Sequence, residues 1–441
     1  MHASVTVLSL ALALVASRFT LFLLQIRIPF PTIGRSAALF GIAFVSAIGL
    51  WNVSNDVRHV LFGRAFDARG LVYLAKRLPG LRPDVWERSG ADPSREPAPG
   101  PLRQKSQARH VVLITIDTLR PDHLPVYGYH RQTAPMMTAF AARASVYEWA
   151  WAVSGTTAES LKAILGDEKF GLLAALRNAG LSRSAVVSDF LYSHLGEDRL
   201  KRSFDRVVTL PDADDASVSK AAIEEFKRSA PNFLWLHLLA PHLPYSPNKP
   251  SPFGGSPRDR YDADIREVDA AVDIVLGGLR RLGFEERTVI VIASDHGEEF
   301  GEHGGYAHGN GFHNEVLRIP LMIRMPGGEH KRLRRHVSQL DIGPTIAGVL
   351  DASWGPWPGR SLLLTPNHDD DVLNSVHIGP LGLYQFGAYV VDEWKLAYCL
   401  FANSYALYNI HLDPGELLNL YSVQSDKSAQ MKSDLHSRLH R

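Results

Sequence analysis

The sequence predicts an α/β layered domain with a mainly parallel central sheet, preceded by transmembrane helices and followed by a small C-terminal subdomain. Three observations predict it. From residue 109 onward, short β-branched apolar runs alternate with helical patterns, as in chained βαβ units. Ahead of that alternation lie two long stretches almost free of charge. Beyond about residue 366 the apolar runs shorten, which fits a small added sheet closed by a final helix.

Taken in order, the first element is the apolar N-terminus. From Ala3 to Ile26 the only charge is Arg18, and from Ser36 to Asn55 there is none. Each run is close to the roughly 20 residues that cross a bilayer as a helix. The segment between them, IRIPFPTIGR, carries two prolines and two arginines and reads as a turn. Residues 1–55 are therefore expected to form two transmembrane helices. A cleaved signal peptide is the weaker alternative, because MHAS lacks a basic start and a second apolar run follows. Arg27 and Arg35 favour a cytoplasmic connecting loop, whereas Arg58, Arg64, Arg69, Lys76 and Arg77 pull the other way. Residues 56–107 read as an amphipathic, juxtamembrane segment (57–78) running into a linker rich in proline, glycine and charge (79–107).

Next come the strands and helices of the layered domain, expected over 108–365, with the C-terminal subdomain over 366–441. Apolar strand-like runs occur at HVVLITI (110–116), SAVVS (184–188), NFLWLHL (232–238), TVIVIAS (288–294) and IPLMIR (319–324). Helical patterns lie at 133–144, 158–165, 169–179, 215–229 and 258–282. The 441 residues carry a net formal charge of +1, which removes any bulk electrostatic case for nucleic acid. The single cysteine, Cys399, excludes an intrachain disulfide framework.

Chemistry gathers at the carboxyl ends of these strands, where open α/β sheets build their sites. HVVLITI runs into Asp117, NFLWLHL into the loop with His242, and TVIVIAS into Asp295 and His296. One carboxylate at a strand end is more often a helix cap or turn residue. Three such ends together with histidines point to a metal site, since Asp and neutral His offer the oxygen and nitrogen donors of a divalent cation. The densest stretch, SDHGEEFGEHGGYAHGNGFHNE (294–315), interleaves histidines and carboxylates with glycines that permit sharp turns. A second constellation is SGTTAESLKAIL (154–165), where Thr156 and Thr157 precede a helical run. A hydroxyl there is ordinarily a cap. The same place suits an anion through free N–H groups, and a metal-bound threonine hydroxyl can act as a nucleophile. The residue types alone leave Thr156 and Thr157 equal.

These segments resemble the sulfatases and their relatives in the alkaline-phosphatase superfamily. The likeness runs through VVLITIDTLRPDHLPVYGY, APHLPYSP (240–247), TVIVIASDHGEEFGEHG (288–304), LRIPLMIRMPG (317–327), SQLDIGPTIAGVL (338–350) and YALYNIHLDPGELLNLYS (405–422), in that order over about 109–422. It implies a sulfatase/alkaline-phosphatase-like fold. It also implies Asp117 as a first metal ligand, Asp295 and His296 as paired ligands, and His242 and His308 as groups that bind the substrate oxyanion or a second metal. The spacing from Asp295 to His308 is similar to that of membrane phosphoethanolamine transferases, in which a threonine followed by Ala-x-Ser is the nucleophile. Thr157-Ala158-Glu159-Ser160 fits that register and Thr156 does not. The sulfatase pattern Cys/Ser-x-Pro-x-Arg is broken, with Thr157, Glu159 and Leu161 at its positions, and threonine cannot become formylglycine.

The expectation is a membrane enzyme with an extracytoplasmic catalytic domain. Its metal set is Asp117, Thr157, Asp295 and His296, and its catalytic groups are Thr157, His242 and His308. The cation is a divalent metal, zinc first, with calcium or manganese as alternatives. The expected partners are the lipid bilayer and a phospho- or sulfo-ester substrate on an envelope lipid or glycan, hydrolysed or transferred, with no nucleic acid. A sulfatase in the strict sense and a decayed pseudoenzyme are the competing readings.

Overall fold

A computed structural model describes residues 108–441, apart from 168, 246–250, 310–311, 329, 354, 356–357, 364–374, 382–385, 400–402 and 440–441. The expected transmembrane helices and juxtamembrane segment (1–107) lie outside the described residues. Among those described, no helix is long and apolar enough to cross a membrane.

In chain order the main elements are β1 (His110–Ile116), α1 (Pro135–Ala141), β2 (Ser145–Trp151), α2 (Thr157–Leu165), α3 (Gly171–Asn178), β3 (Arg183–Ser188), α4 (Asp189–Leu195), α5 (Glu197–Ser203), β4 (Arg206–Leu210), α6 (Asp215–Ser229), β5 (Phe233–Leu238), α7 (Pro257–Arg281) and β6 (Thr288–Ser294). A short hairpin follows, β7 (Glu299–Phe300) and β8 (Tyr306–Ala307), then α8 (Asn314–Leu317), β9 (Arg318–Arg324), β10 (Arg332–Ser338) and α9 (Ile342–Val349). The tail holds β11 (Ser375–Leu381), β12 (Phe386–Val391), β13 (Trp394–Cys399), β14 (Ser404–Asn409) and α10 (Ser425–Leu439).

The central sheet has the order β10-β2-β9-β6-β1-β5-β3-β4. β1 pairs in parallel with both β5 and β6, while β9 is antiparallel to β6 and β2. β9 runs against the rest for a topological reason. A parallel neighbour needs a crossover back to the starting edge. Among the described residues between β6 and β9 the chain makes the β7–β8 hairpin and the four-residue α8, with no crossover helix. It therefore re-enters the sheet from the carboxyl side.

Alternation along the buried strands builds a core on each face. Val111 and Leu113 of β1 and Trp235 of β5 join α2, α3 and α9 on one side. Val112, Ile114, Leu234 and Leu236 meet α6 and α7 on the other. Every residue of β1, β5 and β6 is buried, as their unbroken apolar runs require.

Three strands escape the sequence pattern. β2 carries Glu148, and the two edge strands, β4 and β10, carry charge as exposed edges do. The shorter apolar runs of the tail form a separate four-stranded antiparallel sheet, β11-β12-β13-β14. One of its faces packs on Trp149, Trp151 and Val316, and the other on Met431 and Leu435 of α10.

Candidate active site

β6, β1 and β5 are neighbours, so their carboxyl ends bring Ser294 to His296, Asp117 and His237 to one edge of the sheet. Asp117, His237, Asp295 and His296 are all buried, none more than 2% exposed. Asp117, His237 and Asp295 each offer a ligand atom, and these atoms lie within 4.8 Å of one another. His296 Nε2 stands 3.8 Å from Asp117 Oδ1 and 3.5 Å from Asp295 Oδ2. Thr157 Oγ1, at the first residue of α2, is 3.2 Å from His296 Nε2. The four expected ligands Asp117, Thr157, Asp295 and His296 thus lie together, and His237, which the sequence reading missed, joins them.

Both imidazoles turn a lone pair inward. His296 Nδ1 lies 3.0 Å from the Gly297 carbonyl, which can only accept, so the proton sits there and Nε2 is free. Thr115 Oγ1 donates to Leu236 O at 3.3 Å and accepts from Trp235 Nε1 at 2.9 Å. Its remaining lone pair takes the His237 Nδ1 proton across 2.8 Å. His237 Nε2 is then a bare lone pair, 3.6 Å from the Asp117 carboxylate. Burial holds His237 below its ordinary value and, with the charge of His308 next, lowers His296 to about 3, so both are neutral rings.

Asp117 Oδ1, His237 Nε2 and Asp295 Oδ2 are buried with no hydrogen-bond partner. Leaving such atoms unmatched is costly. Two carboxylate oxygens and an imidazole nitrogen converging without donors fit a divalent cation, which would satisfy all three. Without it, burial first, and then the charge of Asp295, drives Asp117 well above the usual carboxylate range, and burial likewise raises Asp295.

The set is braced from behind. Asp295 Oδ1 accepts from the backbone N–H of His296 at 2.8 Å and of Thr118 at 3.1 Å. Thr118 reaches it by taking φ of 53°, a strained left-handed conformation for a β-branched residue. The Ser294 hydroxyl points at the carbonyls of Ile116 and His296 and accepts from Leu119 N at 2.9 Å. Asp215 accepts from Leu239 and Ala240 N–H, each at 2.8 Å, and so fixes the exit from β5.

His308 and His242 form an outer step. The His308 ring lies 4.5 Å from that of His296 and 5.0 Å from that of His242, centre to centre. Burial opposes a charge on His308. Its Nδ1 hydrogen bond to Glu298 Oε1, 2.9 Å, together with the nearby carboxylates, prevails and raises its pKa. Glu298 is fully buried and also accepts from Tyr245 at 3.0 Å.

Thr156 occupies the N-cap position of α2, as a cap reading requires, yet its side chain makes no cap hydrogen bond. Its hydroxyl turns to the Glu159 carboxylate and lies 3.1 Å from Ser154 Oγ. Of the two roles expected of Thr156, cap or turn hydroxyl, these bonds are those of a turn hydroxyl.

The sulfatase family model matches residues 109–352, more than half of the chain. The chain belongs to the sulfatase family. It is 29% identical over 160 residues to the uncharacterized sulfatase YidJ of Escherichia coli K12, covering 35% of this chain and 32% of that protein. It is 32% identical over 174 residues to the choline-sulfatase of Rhizobium meliloti, covering 37% of this chain and 33% of that one. These matches span about a third of the relatives' length. Among solved structures, the phosphonate monoester hydrolase of Agrobacterium radiobacter aligns with a TM-score of 0.61 at 17% identity, over 75% of this chain and 95% of that one. That likeness concerns the fold.

The resemblance sets Leu161 where the family's nucleophile pattern has arginine. Leu161, at the arginine position, is 1% exposed and sits in the apolar cluster with Ile164 and Leu172. A guanidinium there would be buried in hydrocarbon. A second group, His303, His313 and Glu315, also has ligand-like spacing. It does not fit a cation in the same way. His303 Nδ1 meets Glu315 Oε1, and its Nε2 lies 3.2 Å from Glu416 O, so both ring nitrogens are engaged.

Proposed function

We propose that this chain is a metal-dependent enzyme that hydrolyses or transfers a phosphate or sulfate ester, with Thr157 as nucleophile. One observation carries the reading. Three buried ligand atoms lack hydrogen-bond partners, and His296, the imidazole beside them, lies 3.2 Å from the Thr157 hydroxyl. Asp117, Asp295, His296 and Thr157, with His237, would hold a divalent cation, zinc by its liking for mixed oxygen and nitrogen donors. A bound cation lowers the pKa of a hydroxyl it holds and offsets charge that develops on the ester.

This chain's residues divide the remaining work. Thr157 Oγ1 attacks the phosphorus or sulfur, forms a covalent ester and expels the alcohol, which departs with the proton that Thr157 gives up. His308 and His242 bind the non-bridging oxygens, where a charged imidazole offsets negative charge. Water or an acceptor hydroxyl then attacks the same centre, breaks the bond to Thr157 and restores its hydroxyl. Phosphate is favoured over sulfate because threonine cannot form the aldehyde of sulfatase chemistry. The sulfatase reading in the strict sense remains the second one, supported by the family itself.

We further propose that the catalytic domain is extracytoplasmic and tied to the membrane by residues 1–55, with an envelope lipid or glycan as substrate. Phe190 is 59% exposed and its ring lies 6.5 Å from that of His242, while Leu243, 46% exposed, follows directly. An apolar rim next to an anion-binding histidine suits an ester with a lipid portion.

Intact-mass measurement after mixing with p-nitrophenyl phosphate and p-nitrophenyl sulfate tests the chemistry. A mass increase of one phosphoryl or sulfuryl group, absent in Thr157→Ala, is expected. Turnover with no adduct on Thr157 and an active Thr157→Ala would replace it with metal-activated water. A reporter fused after residue 100 tests the orientation, and a cytoplasmic signal would overturn the envelope substrate.

A further inference from the structure

We infer that Gln339 is a positioning residue, a strut that sets the distance between the nucleophile loop and the metal-ligating end of β6. Topology makes such a strut necessary. Thr157 follows β2, and Asp295 and His296 follow β6, but β9 stands between those strands and runs the other way. No ladder hydrogen bond therefore joins β2 to β6. Leaving β10, the chain turns at Gln339–Asp341 over the same edge of the sheet. That turn is held by reciprocal bonds between Ser338 and Asp341, and it packs against α2.

Gln339 is 0% exposed, and its amide is fully used. Nε2 donates to the carbonyl of Ser294, 3.0 Å away, and to the carbonyl of Asp295. Oε1 accepts from the backbone N–H of Val153 at 3.0 Å. Two carbonyls can only accept and an N–H can only donate, so the amide orientation is fixed by chemistry. Glutamine offers two donors and one acceptor at the end of a side chain of this reach. Glutamate would set a carboxylate against two carbonyl oxygens, leucine would remove all three of these hydrogen bonds, and asparagine would fall one methylene short.

What Gln339 grips is the start of the nucleophile loop. Ala152 N is held by Leu317 O at 2.7 Å, Val153 by Gln339, and the Ser154 carbonyl by Ser160 Oγ of α2 at 3.0 Å. On the other side it grips the peptide of Asp295, whose neighbouring imidazole, His296, lies 3.2 Å from the Thr157 hydroxyl. One side chain thus ties the peptide that carries a ligand to the loop that carries the hydroxyl. The inference rests on the proposed metal and threonine reading. It adds that their relative placement depends on a residue that touches neither substrate nor cation.

The test uses the full chain with zinc and p-nitrophenyl phosphate. It compares wild type with Gln339→Glu, Gln339→Leu and Gln339→Asn, with Asp295→Asn as control. Zinc affinity by chelator competition, kcat and KM of zinc-saturated protein, and thermal unfolding are read separately. A strut predicts about tenfold or greater weakening of zinc and a fall in kcat of similar size, with KM nearly unchanged. Asparagine should retain more of both than leucine or glutamate. If any folded variant loses melting temperature alone, while zinc affinity and kcat per zinc-loaded molecule match wild type, Gln339 is merely structural and the inference is overturned. Should leucine fail to fold, glutamate and asparagine still decide. If wild type and Asp295→Asn bind zinc alike, the metal reading itself fails and the strut falls with it. Normal zinc loss in Asp295→Asn with no effect at Gln339 sinks the strut alone.

Discussion

Two clusters of histidine and carboxylate lie among the described residues, and they differ in how their charges are met. Around Asp117, His237 and Asp295, three buried ligand atoms have no hydrogen-bond partner. Around His303, His313 and Glu315, protein groups supply the partners. His303 uses both ring nitrogens, and beside it Lys395 Nζ pairs with Glu416 Oε1 at 2.8 Å, both side chains fully buried. Asn314 links the two, accepting from Lys395 and donating its backbone N–H to Glu416. Ligand-like spacing is therefore a weak sign of a metal. Buried acceptors left without donors are the stronger one.

The largest expected effect breaks the first cluster. On the proposed metal reading, Asp295→Asn or His296→Ala should keep a divalent metal from binding and lower turnover on the order of a thousandfold or more. Elemental analysis of the purified protein checks this, and full metal content in both variants would erase the contrast. Thr157→Ala should lower turnover to a similar degree while leaving much of the metal in place. Thr157→Ser should keep partial activity, and Thr156→Ala should stay near wild type, because the Thr156 hydroxyl bonds only within its own turn. Steady-state kinetics on the three variants would expose a register error of one residue.

In the second cluster, the prediction is lost stability without lost metal. Lys395→Met leaves Glu416 as an uncompensated buried charge, which costs about 3–5 kcal/mol. Replacing both residues with apolar ones should recover most of that. Urea unfolding of the single and double variants measures the difference, and folded Lys395→Met should still carry its metal.

A smaller, pH-dependent effect comes from Glu299, beside the same cluster. Burial first, then the charges of Glu315 and Glu302, push its carboxyl up to about 7 from 4.5. Between those values the folded chain holds a proton that the unfolded chain has released, so stability falls as pH rises through the window. Glu299→Gln should flatten that slope, by about 3 kcal/mol at most. Unfolding midpoints from pH 4.5 to 7.5 would reveal an unchanged slope if the assignment is wrong.

Legibility in the sequence followed burial. β1, β5 and β6 are buried on both faces and read as unbroken apolar runs. β2 is interrupted at its centre by Glu148, and the edge strands β4 and β10 open on Arg206 and Arg332, so none gave such a run. The reversed direction of β9 is a property of the connection, which single-strand patterns do not encode. At the site, Asp117, Asp295 and His296 were readable because they stand just past strand ends. His237 was hidden inside one, where a histidine in LWLHL passes for core. Its signal was available in the pairing, since it lies opposite Thr115, two residues before Asp117. Gln339 was invisible because its bonds are to backbone groups far away in the chain.

The return of the chain after His296 has an architectural consequence. Gly297 N–H bonds Val316 O at 2.7 Å and Glu298 N–H bonds Glu315 O at 2.9 Å, so the segment from Glu299 to Asn314 hangs from a two-bond clasp. A Cβ at Gly297 would sit 2.0 Å from Glu315 O, so the clasp closes only around glycine. Outside it, loop closure grows only slowly more costly with length. The segment also leans on Arg120 through Glu302 and on Glu416 through His303 and Asn314, so it is a cassette only if those contacts travel with it. Grafted in another form from another chain, it would exchange His308 and its neighbours together, while the peptide of Asp295 stays tied by Gln339. The lining outside the clasp and the carboxylates within it can then vary separately, and the glycine marks the seam.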